Sequence, residues 1–470
     1  MTTEEFVAQH RLADVNALAL KMRQYPEVDA AFALQQIEGY QKAQHKLPEI
    51  AAIDGWQWPK RLSMEQCSSQ TTALYKRAVL EKWKNEKRTI GGQLIDLTGG
   101  LGVDTFYLSD LFEEVHYVER QEELCRLAEH NFGLTGKHIH VHNCSAEEFF
   151  GANTPSPLRG TPPNLGGELN RANKTNGTNR ANKANGANKT NKISETNELQ
   201  KSETVIFVDP ARRDSHGGKV FRLQDCEPDV TTLLPQLFAR AGVIMLKLSP
   251  MLDITEAVRA LGGAAEVHVV AVRNEVKEVL VVLKGEGGVS DYDTNSCGRS
   301  NSLDPEIVCV NLETEEEPFV FRRSEDRRVA EDILLTDRAH EAIEAQEIVL
   351  IEPNAAIQKA GAFRLFAARY GVKKLGVNTH LYSTDTLTKA ESTADFGIPA
   401  KVFVARVATK EELAKVKQAN VICRNYPLTP EAVRKKYGLK DGGETYLIAT
   451  RVGEKPTLFL ASRQFLHTFK

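Results

Sequence analysis

The sequence predicts an α/β chain: a mainly parallel sheet of seven strands covered on both faces by helices, preceded by a helical segment and followed by smaller α+β units. Three observations lead to this expectation. Up to about residue 88, apolar residues recur at three- and four-residue spacing, as in ALALKMR and ALYKRAVLEKW. From Gln93 the texture changes to short β-branched runs alternating with helical stretches, the pattern of parallel strands joined by crossover helices. From about Phe396 shorter strand and helix candidates alternate before a closing strand pair, the order of a small two-layer unit.

The strand candidates, in order, are QLIDLT, VHYVE, HIHVH, TVIFVD, VIMLKLS, EVHVVAV and EVLVVLK, with EELCRLAEHNF and DITEAVRALG among the intervening helices. Only RNEVK separates the last two runs, so one edge strand is expected to be antiparallel. Between about residues 161 and 200 the chain turns to NRANKTNGTNRANKANGANKTNK, nearly without large apolar side chains. Such a segment cannot offset its ordering entropy and is expected to be a disordered insertion between the third and fourth strands. Its Arg171, Lys174, Arg180, Lys183, Lys189 and Lys192 are compatible with a phosphate-attracting arm or with a loop expansion that has no role. After Lys284, EIVCVNLE and PFVFRR read as a hairpin. The expected domains are 1–88 (helical), 89–284 (the α/β domain), 285–395 (a linking domain) and 396–470 (α+β).

Composition narrows the classes. With 41% apolar and 26% charged residues, and no apolar run near the roughly 18 residues of a membrane span, the chain reads as soluble. The amino terminus lacks the basic and apolar regions of a signal peptide, which predicts a cytoplasmic protein. Seven scattered cysteines, without a CxxC pair or a Cys/His cluster, predict neither a disulfide framework nor a metal site. A formal net charge of −3 means that any attraction to nucleic acid must come from a local basic surface.

The most informative segment is LIDLTGGLGVD. An apolar strand ends in Asp96 and is followed by Thr98, Gly99, Gly100, Gly102 and Asp104, then by a helical stretch, so the backbone can approach a ligand closely at a helix start. The spacing departs from the dinucleotide fingerprint, since the position three after Gly102 is Thr105, and there is no phosphate-loop Lys-Ser/Thr pair. Glu119 ends the next strand, 23 residues after Asp96, where a carboxylate can accept hydrogen bonds from a ribose diol. An acid there serves NAD and S-adenosylmethionine equally. Cys144 and Ser145, in the third strand-to-helix turn, are candidates to meet an adenine edge, and Ser145 reads equally as a helix cap. The fourth strand ends in Asp209-Pro210-Ala211-Arg212-Arg213-Asp214, at the end of the sheet where open α/β folds bind ligands.

These features resemble the class I, Rossmann-like S-adenosylmethionine-dependent methyltransferases. More closely, the chain is similar to a bacterial group whose catalytic domain is followed by ferredoxin-like and THUMP-like domains. The similarity is carried by DLTGGLGVDT, SSQTTALYK, VDPARRD with VFRLQDCEPDV, KLSPMLDI, EPNAAIQKAGAF, NTHLYST and NYPLTPEAVRKKYGLKDGGETYL, from the helical segment to the carboxyl end without the Asn-rich insertion. The resemblance implies S-adenosylmethionine as cofactor and RNA as substrate.

The residues after Asp209 bear on the acceptor. Enzymes that methylate exocyclic amines usually carry Asp or Asn, two prolines and an aromatic here; this chain keeps Asp209-Pro210 and then has Ala211 and Arg212. Base stacking would then fall to a guanidinium or to a residue elsewhere. Arg212 and Arg213 can clamp a substrate phosphate or pair with neighbouring acids. Ser249 stands where pyrimidine C5 chemistry would need a cysteine, which disfavours that reaction. Lys76, Asp209, Lys247 and Glu278 occupy the places of a ribose 2′-O set, in which a lysine stabilises the developing alkoxide; the same residues also read as solvated or structurally paired. The leading expectation is an RNA methyltransferase acting on tRNA or rRNA, at a base amine or a ribose 2′-O. The alternatives are methylation of a small molecule or protein, a non-catalytic S-adenosylmethionine- or RNA-binding module and, last, an NAD-linked oxidoreductase.

Overall fold

The computed structural model describes residues 1–87, 91–152, 203–212, 222–285, 301–330, 334, 343, 347–384 and 397–464. The Asn-rich insertion lies outside the described residues. By packing the chain divides into two compact units, Met1–His216 with Gln224–Leu246 and Lys284–Asp293, and Gly217–Leu223 with Lys247–Leu283 and Thr294–Lys470.

The first unit begins with helices α1 (Thr3–His10), α2 (Val15–Lys21), α3 (Ala30–Lys46), α4 (Pro48–Ala51), α5 (Arg61–Gln66) and α6 (Gln70–Lys87). Short polar side chains fix where they start. Thr2 and Glu5 form a reciprocal capping box on α1, and Asp14 and Asp29 accept the N–H groups of Ala17 and Phe32 at the starts of α2 and α3. Phe6, Leu18, Met22, Ala33 and Ile37 make a small core of their own. Trp56, Trp58, Met64 and Ala73 instead join one apolar cluster with Phe106, Tyr117 and Phe132 of the α/β region, so packing runs straight across the boundary expected at residue 88.

In this unit the sheet order is β7-β4-β1-β2-β3, built from β1 (Gln93–Asp96), β2 (Glu114–Glu119), β3 (Ile139–Asn143), β4 (Thr204–Val208) and the greater part of β7 (Val243–Leu248). The four pairings in this run are parallel, as expected for near-continuous apolar strands linked by α7 (Val103–Leu108), α8 (Glu122–Gly133) and α9 (Ala146–Ala152). The chain leaves β1 for β2 and β3 on one side and returns to β4 on the other. That reversal opens a crevice beyond the carboxyl ends of β1 and β4. The short strands β5 (Ala211–Arg212) and β6 (Cys226–Glu227) form a separate antiparallel ribbon just past β4.

The second unit contains β8 (Glu266–Val272) and β9 (Glu275–Lys284), an antiparallel hairpin whose turn residues Arg273 and Asn274 both take positive φ. The strands do not stop at 284. Strand β10 (Glu306–Leu312) pairs in parallel with β8, and β11 (Phe319–Phe321) pairs antiparallel with β10, so the hairpin assigned by sequence to the following domain continues the sheet of β8 and β9. A seven-stranded sheet of order β13-β14-β12-β15-β18-β17-β16 follows, with β13 (Lys373–Gly376), β14 (Thr379–Ser383), β16 (Asn420–Cys423), β17 (Thr445–Val452) and β18 (Lys455–Gln464). In it β12 (Ile348–Pro353) pairs antiparallel with β15 (Ala400–Val407), which places the expected boundary at 395/396 inside one sheet. Leu350, Leu375, Leu381, Phe403, Ile448 and Phe459 fill its core.

The EPNAAIQKAGAF segment has a local reason for its residues. Asn354 is buried and caps helix Ala355–Ala360 by accepting the N–H of Ile357 at 3.0 Å, while its amide donates to Glu316 at 2.7 Å. Asn311 donates to the same Glu316 oxygen, and Asn274 accepts the N–H of Ala355. Replacing Asn354 by Ala removes the cap and leaves the half-buried Glu316 carboxylate short of a donor. Asn354→Ala is expected to lower stability by about 2 kcal/mol, read as a fall in the urea midpoint at unchanged m-value.

Candidate cofactor site

The crevice is floored by the turn from Leu97 to Gly102. Asp96 at the end of β1 is fully buried; its Oδ1 accepts the N–H of Thr98 at 3.0 Å and its Oδ2 the hydroxyl of Thr105 at 2.6 Å. The carboxylate therefore spans the turn from inside. Thr105, the residue that breaks the dinucleotide fingerprint, is the one that closes this contact. Burial pushes the Asp96 carboxyl up to about 7; the bonds from Thr105 and Thr98 counter that shift, and Asp104 and Asp209 add to it.

Two glycines are required here for different reasons. Gly99 lies against Tyr117, where an added Cβ would come within 2.1 Å of the ring, and its N–H is held by the Val118 carbonyl at 2.9 Å. Gly100 sits at φ +55, and its Cβ position faces open space, with only the Thr98 carbonyl at 3.8 Å. The turn is thus packed on one side and open to a ligand on the other. Glu119, at the end of β2, accepts the Gly100 N–H at 3.0 Å through one oxygen and the Gln121 N–H at 2.8 Å through the other. Two donors leave lone pairs on that carboxylate. The Tyr117 hydroxyl donates to the Gly100 carbonyl at 2.6 Å, and Asn143 donates to the Glu119 carbonyl at 3.0 Å. On the other side of the crevice the backbone N–H of Asp209 donates to Thr98 Oγ1 at 2.6 Å, tying the end of β4 to the turn; Pro210 beside it is buried.

With that geometry in place, similarity to known proteins can be weighed. Residues 350–390 match a family described as a ferredoxin-like domain, and residues 404–463 one described as THUMP domain-like. Two uncharacterized S-adenosylmethionine-dependent methyltransferases from Mycobacterium tuberculosis strains are each 22% identical over 253 residues, covering 53% of this chain and 61% of their own length. The chain thus spans about three-fifths of the length of these curated relatives. The crystal structure of a candidate methyltransferase from Porphyromonas gingivalis W83 is 27% identical, with a TM-score of 0.69, covering 98% of this chain and 97% of that one. The chain has the class I methyltransferase fold, with ferredoxin-like and THUMP-like segments at its carboxyl end.

Other positions of this class I domain singled out by sequence are placed as follows. Ser145 accepts the N–H of Glu148 and its own N–H goes to the Glu148 carboxylate, a reciprocal cap on α9. Cys144 is half-buried, and burial raises its thiol, with Glu148 adding to the shift. Asp104 lies in the first turn of α7 and is buried against Lys76. The backbone of Arg212 belongs to β5, and Arg213 lies outside the described residues. Lys247 is half-buried in β7 and Glu278 is buried opposite Val270 in β9, both in the second unit, whereas Lys76 and Asp209 belong to the first. The parts played by Tyr117 and Asn143 were not foreseen from the residue pattern. A tyrosine two residues before the strand-ending acid, and so on the same strand face, is the signal that could have pointed to the former. Among the described residues no group of three His, Cys, Asp or Glu side chains could hold a metal, and no helix is long and apolar enough to cross a membrane.

The raised Asp96 carboxyl has a thermodynamic consequence. Between its ordinary value of 3.8 and about 7 the folded chain holds a proton that the unfolded chain releases, so this group's contribution to stability declines as pH rises through that window. Asp96→Asn, which cannot titrate, is expected to flatten the pH dependence of the denaturation midpoint between about pH 4 and 7. A slope equal to that of the wild type would show that Asp96 ionises normally.

Proposed function

We propose that this chain is an S-adenosylmethionine-dependent methyltransferase that acts on RNA. The observation that carries the donor assignment is the Glu119 carboxylate, fixed by two backbone N–H groups and with acceptor capacity to spare, beside the open face of Gly100. That pair suits a ribose diol and an amino-acid tail better than a pyrophosphate, which would look for free N–H groups at the turn; the Gly100 N–H is already committed to an acid. Bound there, S-adenosylmethionine would supply a methyl group on a positively charged sulfur.

The chain's own residues then divide the work. Glu119 would accept the ribose hydroxyls, the open backbone around Gly100 would admit the tail, and Cys144 and Ser145 would border the adenine. Asp209 and Pro210, tied to the turn through Thr98, would orient the acceptor group at the carboxyl end of β4. Arg212 and Arg213 would take a backbone phosphate of the substrate. RNA is favoured as substrate class by the match to a THUMP domain-like family over residues 404–463.

Calorimetry with S-adenosylhomocysteine and, separately, NAD tests the donor. Heat of binding is expected with the former alone, and Glu119→Ala should weaken it by roughly tenfold or more, the loss of a hydrogen-bond acceptor to a charged group. Tritium transfer from labelled S-adenosylmethionine into total RNA tests the acceptor. Asp209→Ala is expected to bind the homocysteine product almost as well as the wild type while losing roughly 100-fold or more in transfer. Label appearing in protein or small molecules, with none in RNA, would exclude the RNA reading and leave the donor assignment intact.

A further inference from the structure

Lys76 lies within α6 and is fully buried, where an ammonium needs partners for each of its N–H bonds. Its Nζ stands 3.2 Å from Asp104 Oδ1, donates to Ser68 Oγ at 3.2 Å and donates to the Thr72 carbonyl at 3.3 Å. These contacts bind the ammonium to the start of α7 and to its own helical segment. Ser68 donates in turn to the other Asp104 oxygen at 2.7 Å, so the acid is held on both sides from the helical segment. This is the SSQTTALYK motif, whose residues the proposed chemistry otherwise leaves without a part.

Asp104 is the second residue of α7, the helix whose N-cap is Gly102. Its neighbour Thr105 is bound to Asp96, and Asp96 is bound to Thr98. The glycine turn is therefore anchored twice: Asp96 holds it from the sheet and Lys76 holds its exit from the helices. A buried ion pair contributes little net stability over a well-packed apolar pair of the same size, because both charges must first be stripped of water. What it adds here is direction, fixing where Asp104, and hence the start of α7, can sit.

We propose that Lys76 is a positioning residue for the methyl donor, acting through Asp104 to hold the turn that presents Gly100 to Glu119. The proposal rests on the reading of that turn as the donor site. It differs from an alkoxide-stabilising role, in which the ammonium would contact the acceptor itself and not Asp104.

The test is calorimetric titration of S-adenosylhomocysteine into the full chain, well below its melting temperature, for the wild type, Lys76→Met, Asp104→Asn and the double variant. Each single substitution is expected to weaken binding by about tenfold, and the double to be no weaker than the worse single, since both act through one contact. A purely structural role would lower the melting temperature and leave the affinity of the folded protein unchanged. Should a single substitution prevent folding by leaving one buried charge unpaired, the double variant, in which both charges are gone, carries the test with the same expected loss of about tenfold. Wild-type affinity in a folded Lys76→Met or in the double variant overturns the proposal. So does a double variant whose loss equals the product of the two single losses, the mark of independent contacts. Absence of binding to the wild-type chain would sink the donor-site reading itself, and this proposal with it, and the wild-type titration alone reveals that case.

Discussion

One carboxylate placed out of reach of water governs the crevice. Asp96 has no solvent to share its charge, so it must be satisfied by the chain, and the donors within reach are the amide of Thr98 and the hydroxyl of Thr105. Meeting both forces the backbone between them to double back within a few residues. Only a residue without a side chain can lie at Gly99, because Tyr117 already fills that volume, and Gly100 must adopt positive φ to complete the turn. The Gly100 amide then points at Glu119. Strand end, turn, helix start and neighbouring acid are one mechanical unit, and displacement of any one of them would be felt by the others.

That unit was partly legible in the sequence. Asp96, the glycines and Glu119 could be found because the signal is local: a strand, a turn and a second strand end at fixed separations. Thr105 was visible only as a departure from a fingerprint, and its positive role needed the fold. Lys76 looked like a surface or catalytic lysine, since nothing in a helical pattern reports that an acid 28 residues later will be buried against it. The strands themselves were read correctly as a mainly parallel set, each run being apolar and β-branched. The segment boundaries of the carboxyl-terminal half were not visible. Pairing of β10 with β8, and of β12 with β15, joins segments far apart in sequence, and the polar stretches between them look like domain breaks to any reading that sees only composition.

The carboxyl-terminal sheet shows the same division between adhesion and direction. Its interior is aliphatic and aromatic, which drives association without specifying register. Register is supplied by a few buried polar groups. Glu352, in β12, accepts from Arg424 Nε at 2.6 Å and lies 3.8 Å from Lys401, so a strand of the ferredoxin-like segment is bonded to a residue inside the THUMP-like one and to another just ahead of it. The segments matched by two separate family descriptions are thereby parts of a single sheet in this chain.

In both units, then, polar contacts sit where a few tenths of an ångström decide what a turn or helix start presents, and apolar clusters sit where only proximity matters. A network such as Asn274, Asn311, Glu316 and Asn354 is costly to leave half-satisfied, so it tolerates one arrangement far better than its neighbours. The same reasoning applies with more force at Asp96, Asp104 and Lys76, where the groups are ionisable. A fold that merely had to be stable could replace these three side chains by apolar ones of similar volume. Keeping them is intelligible if the glycine turn they surround must hold its shape before anything is bound, since a preorganised site spends none of its binding free energy on ordering the chain.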